Sequence, residues 1–74
     1  MKDRARVTVY YGSRKMELDI SRRMPLGDVK KILDSYFDRE DRELSILVNG
    51  VETIPQSTLE ELNYFKGVII EFKK

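Results

Sequence analysis

An α+β domain, one mixed sheet packed on one helix, is what this sequence predicts. Three observations predict it. Short alternating apolar runs recur near both ends of the chain and in its middle. One amphipathic helical stripe lies between them. Gly, Pro and Asn-Gly signals separate the segments. The 74 residues are read as a single domain, 1–74, near the lower limit for a core without staples.

Arg6 to Tyr11 alternates, with Val7 and Val9 on one face and Thr8 and Tyr10 on the other. Period-2 alternation with β-branched residues predicts a half-buried strand. Gly12-Ser13 marks a turn, and Arg14 and Lys15 lead out of it. Met16, Leu18 and Ile20 then alternate with Glu17, Asp19 and Ser21. Two strands joined so tightly form a hairpin.

Pro25 suits the first helical position, where its missing N–H would be unpaired anyway. Leu26, Val29, Ile32, Leu33, Tyr36 and Phe37 recur at helical spacing and predict one stripe against the sheet, ending near Tyr36 to Asp38. Asp28 in the first turn suits the helix dipole. Gly27 costs roughly 1 kcal/mol relative to Ala, and a close backbone approach would account for it. Asp38-Arg39-Glu40-Asp41-Arg42-Glu43 reads as a solvated connector or a frayed helix extension.

Leu44, Ile46 and Val48 alternate with Ser45, Leu47 and Asn49 as a third strand, and Asn49-Gly50 is a strong hairpin-turn signal. Val51 to Ile54 gives a short fourth strand that Pro55 ends. Thr58-Leu59-Glu60-Glu61 has capping-box spacing and opens a short helical turn, with Leu59, Leu62 and Phe65 inward. Gly67 releases the chain into a last strand, Val68 to Phe72. The order is β-β-α-β-β-short helix-β. The first and last strands are the most apolar, so they are expected to be central and parallel, with the helix in the crossover covering one face. This is a β-grasp arrangement of four to five strands.

The chain resembles the ubiquitin superfamily from Arg6 to Phe72. Pro25-Leu26-Gly27-Asp28-Val29-Lys30-Lys31-Ile32-Leu33 is similar to the family helix. Ile46-Leu47-Val48-Asn49-Gly50 is similar to its third strand and turn. Thr58-Leu59-Glu60-Glu61-Leu62-Asn63-Tyr64 is similar to a Thr-Leu-x-x-Tyr-Asn-Ile segment, with Leu62 departing from the usual Tyr. The Val48-Asn49-Gly50 turn also resembles bacterial and archaeal sulfur carriers of thiamine and molybdopterin synthesis, which share the fold.

The resemblance implies three properties. A C-terminal Gly-Gly would carry covalent transfer; this chain ends Phe72-Lys73-Lys74, so that activity is not carried over to it. An exposed sheet face would bind partners. Leu47 stands where the family uses an Ile, and by alternation Tyr10 and Ile69 should lie beside it, flanked by Thr8. Such residues otherwise simply suit strands. The second strand would be a sheet edge, where Ras-binding domains of this architecture recruit partners. Arg14, Lys15, Arg22, Arg23, Lys30 and Lys31 would present a basic edge to an acidic partner strand, or merely block edge-to-edge aggregation.

Composition narrows the chemistry. The absence of Cys and His removes thiolate nucleophiles, the commonest general base and the commonest metal ligands. Asp38, Glu40, Asp41 and Glu43 lack the Ca²⁺-loop pattern. The glycines are isolated, so no phosphate loop is expected. One sheet layer and one helix leave little room for a pocket of ~300 Å³. No enzyme activity, cofactor or metal is therefore expected.

The net charge is +1, but residues 1–31 hold nine Lys/Arg against four Asp/Glu, and residues 32–74 hold five against nine. That asymmetry suits steering of a charged protein partner, or belongs to a mixed solvated surface. It lacks the aromatic or groove-reading elements that nucleic-acid binding needs. No apolar run approaches the ~18 residues of a membrane span. The expectation is a cytoplasmic, non-enzymatic protein–protein interaction module, monomeric alone. The alternatives are a modifier or sulfur carrier whose Gly-Gly tail is absent from this chain, and an adaptor using the basic edge.

Overall fold

The computed structural model describes residues 3–38, 44–64 and 66–73. β1 (Arg4–Tyr11) and β2 (Arg14–Ser21) form the first hairpin. α1 (Leu26–Tyr36) follows, then β3 (Ser45–Val48), β4 (Val51–Thr53), α2 (Leu59–Leu62) and β5 (Val68–Lys73). The five strands make one sheet in the order β2-β1-β5-β3-β4. β1 and β5 pair in parallel at the centre, and every other pairing is antiparallel. The predicted α+β β-grasp architecture and its element order are those observed. β1 begins earlier than predicted, and β4 stops at Thr53, one residue short.

The central strands are central because they are apolar on the helix side. Val7, Val9, Ile70 and Phe72 are at most 1 % exposed, and α1 places Leu26, Val29 and Leu33 on them. Burial of each such side chain contributes about 1.5–3 kcal/mol relative to leaving it in water.

α1 departs from its predicted stripe. Ile32 is 49 % exposed and Tyr36 70 % exposed. The opposite flank of the helix is instead half-buried and polar. The Lys30 ammonium donates to Asp34 at 2.9 Å, both side chains being 16 % exposed, and the Tyr11 hydroxyl of β1 donates to the same carboxylate. That polar tie rotates Ile32 and Tyr36 toward solvent. Pro25 is the N-cap, not the first helical residue, and provides no side-chain cap. The first amides of α1 find backbone acceptors instead: Leu26 donates to the Ser57 carbonyl and Gly27 to that of Pro55, both at 2.9 Å. A Cβ on Gly27 would meet Pro55 Cβ at 3.0 Å, so the close approach behind this glycine is the β4–α2 loop.

In α2 the Thr58 hydroxyl accepts from the Glu61 amide at 3.1 Å, the first half of the capping box. The Glu61 carboxylate accepts from the Thr58 hydroxyl at 3.3 Å, in place of the Thr58 amide that the reciprocal half of a capping box uses. The expectation for Phe65 and most of the Asp38–Glu43 connector lies outside the described residues. Beside α1, a groove of about 320 Å³ is lined by Gly27, Lys30, Lys31, Asp34, Leu44, Ile46 and Pro55. It is roomier than expected for one sheet layer packed on one helix.

Candidate functional site

The face of the sheet away from α1 is built by alternation. Residues 4, 6, 8 and 10 of β1, 69, 71 and 73 of β5, and 45 and 47 of β3 point outward, while their neighbours fill the core. Tyr10, Leu47, Ile69 and Thr8 therefore share one face. Tyr10 is 36 % and Ile69 43 % exposed; Leu47 and Thr8 are half-buried.

Register decides who touches whom. Tyr10 pairs with Glu71, and Glu71 pairs with Leu47, whose other neighbour is Glu52. Ile69 pairs with Thr8 in the next row. The three apolar residues are thus not side by side in one row: a half-buried carboxylate stands between Tyr10 and Leu47. Alternation identifies the face but not the offset between strands, so Glu71 was missed. The signal available in sequence was the single polar residue in the run Val68 to Phe72.

At the edge of this row Lys15, opposite Tyr10, holds its ammonium 6.0 Å from the ring centroid. Arg4 meets Asp19 at 3.6 Å and Arg6 meets Glu17 at 3.4 Å across the β1–β2 pair, all exposed. Such surface pairs contribute about 0–1 kcal/mol each.

The six cations of the proposed basic edge are not gathered into one free patch. Arg22 donates to the Tyr64 carbonyl at 3.1 Å, and its own carbonyl accepts from the Glu60 amide. Arg23 lies 3.2 Å from Glu60 and 3.6 Å from Asp3. The hydrogen bond it donates to the Glu60 carboxylate, then the charges of Glu60 and Asp3, hold its guanidinium above the ordinary arginine range. These contacts pin α2 to the end of β2. Lys30 is paired with Asp34, and Lys31 lies 4.0 Å from Asp28. Arg14 stacks over the Phe37 ring at 5.0 Å on the helix side of the sheet, whereas Lys15 points to the other side.

Among the described residues no group of acidic side chains is placed to hold a metal ion, and no helix is long and apolar enough to cross a membrane.

No protein-family model matches this sequence, and no curated protein does. Solved structures do. A de novo designed protein based on ubiquitin is 24 % identical with a TM-score of 0.79, covering 96 % of this chain and 88 % of that one. Ubiquitin of Caldiarchaeum subterraneum is 14 % identical with a TM-score of 0.74, covering 96 % and 95 %. The ubiquitin-like domain of tubulin-binding cofactor B is 17 % identical with a TM-score of 0.74, covering 100 % and 92 %. At these identities the likeness carries the architecture and not a partner: the chain has the ubiquitin-like β-grasp fold.

Proposed function

We propose that this chain is a non-catalytic protein-interaction module that binds a partner through Tyr10, Leu47, Ile69 and Thr8. The observation that carries this is the placement of exposed Tyr10 and Ile69 on the sheet face that α1 leaves open. An aromatic and two aliphatic side chains on a rigid sheet supply the low-entropy apolar contact that protein recognition uses. The occurrence of this fold as a domain of tubulin-binding cofactor B is in keeping with such a role. The basic-edge adaptor has less support, because Arg22, Arg23 and Lys30 are engaged within the chain.

The test is affinity capture with wild type and Leu47→Asp in parallel, with thermal unfolding of both. Loss of a specific partner with a nearly unchanged Tm supports the proposal. A large drop in Tm would show Leu47 to be core instead, and capture unaffected by the substitution would place the interface elsewhere.

A further inference from the structure

We propose that the partner segment is a helix carrying an arginine or lysine midway between two apolar side chains, and this rests on the outer sheet face being the contact surface. The row across that face runs Lys15, Tyr10, Glu71, Leu47, Glu52. Directly opposed residues on one face have neighbouring Cβ atoms. An apolar partner that covers Tyr10 and Leu47 together must therefore also cover Glu71.

Among the described residues, no hydrogen bond or ion pair engages the side-chain carboxylate of Glu71 or of Glu52. The outward cations of β1, Arg4 and Arg6, lie four and more residues along the strand from Tyr10 and are paired with Asp19 and Glu17. Lys15 lies over Tyr10. Lys73, next along the outward side of β5, stands opposite Ser45 and makes no ion pair with Glu71 within 4.0 Å. Glu71 is half-buried already. Covering it without a counter-charge strips water from a carboxylate and gives nothing back, which disfavours a purely apolar or an acidic partner. A guanidinium answers it best, because it accepts burial and binds a carboxylate in a fork. Glu52, on the far side of Leu47, offers a second carboxylate at the rim.

The spacing selects the partner's backbone. Tyr10 and Leu47 lie two strand spacings apart, about 10 Å. Helix residues i and i+7 share a face and are separated by about 10.5 Å, with i+3 and i+4 between them on that face. A helix lying across the strands thus sets apolar residues on Tyr10 and Leu47 and its i+3 or i+4 residue on Glu71. An extended segment places alternate same-face residues only about 6.8 Å apart, and matches less well.

The experiment titrates the isotope-labelled full chain with three synthetic helical peptides of about 15 residues, long enough to hold a helix. All carry Leu at i and i+7. One has Arg at i+3, one has Glu there, and one has Arg moved to the opposite face. The expected result is movement of the Tyr10, Leu47, Ile69 and Glu71 amide resonances, with the first peptide binding about tenfold tighter than the other two. Glu71→Lys should reverse the Arg/Glu preference, while Glu71→Gln should abolish it. If all three peptides move these resonances with equal affinity, or the Glu peptide is preferred, the charge assignment is overturned while the sheet face stands. If no peptide moves them, the helical partner is overturned, and the sheet face falls with it only if capture is also unaffected by Leu47→Asp.

Discussion

The hydroxyl of Tyr11 donates to the carboxylate of Asp34, tying the central strand β1 to α1 beside the core. Asp34 also accepts from Lys30, and Tyr11 stacks on Phe37 with ring centroids 5.3 Å apart. One carboxylate therefore satisfies a buried phenol and a half-buried ammonium at once. Asp34→Ala should destabilise the fold by about 2–3 kcal/mol, since it leaves both donors without this acceptor. Tyr11→Phe removes the bond to Asp34 and keeps the ring packing, and should cost about 1 kcal/mol. Urea unfolding of the two variants checks the order. Equal, small losses would show that water replaces the carboxylate freely.

Alternation made most of the fold legible. Val7 and Val9, Leu18 and Ile20, Ile46 and Val48, and Val68 and Ile70 each announce a strand and the side that faces inward. Asn49-Gly50 announces a turn, and its two positive φ values, 51° and 83°, are those such a turn requires. What depended on contacts between distant segments was not legible. Ile32 and Tyr36 lie on an apolar arc wider than the sheet contact, and the tie between Asp34 and Tyr11, with the anchoring of Leu26 and Gly27 on the β4–α2 loop, marks the flank that is buried. Glu71 lies between Tyr10 and Leu47 because of a register that a period of two cannot specify. The outward cations looked alike in sequence, and only the placement of Glu60, Asp3, Asp34 and Tyr64 distinguishes engaged ones from open ones.

Gly27 gives a prediction of opposite sign from helix propensity. Within a helix, Gly→Ala ordinarily stabilises by about 1 kcal/mol. Here the added Cβ would lie 3.0 Å from Pro55 Cβ and 3.3 Å from the Pro55 carbonyl oxygen, which is the acceptor for the Gly27 amide. Gly27→Ala should therefore destabilise by about 1–2 kcal/mol, as overpacking does. Thermal unfolding measures it. A gain in Tm would mean that the β4–α2 loop moves aside at little cost.

The exposed flank of α1 and its buried ridge should respond very differently. Leu33 is 1 % exposed and Ile32, its neighbour in sequence, 49 %. Leu33→Ala should cost about 2–5 kcal/mol through lost burial and the cavity left behind. Ile32→Lys should change stability by no more than about 0.5 kcal/mol, as surface substitutions do. Chemical denaturation of both variants decides it. A large loss for Ile32→Lys would place that side chain against the sheet after all.

Asn49 joins the turn to the proposed contact face. Its backbone amide donates to the Ile69 carbonyl and its side-chain Oδ1 accepts from the Ile69 amide, both at 2.8 Å. The side chain thus takes the place of a backbone acceptor and continues the β3–β5 ladder by one step. The residue also sits at φ 51°, which Asn tolerates better than most. Asn49→Gly keeps the backbone conformation and loses only the acceptor, at a cost of about 1 kcal/mol. Asn49→Ala loses the acceptor and adds left-handed strain of about 1–2 kcal/mol, so it should be the more destabilising of the two. In both variants the Ile69 amide should exchange with solvent faster while the Val48 and Ile70 amides keep their protection relative to global stability. Unchanged exchange at Ile69 would mean that another acceptor holds it, and that Asn49 matters only as a turn residue.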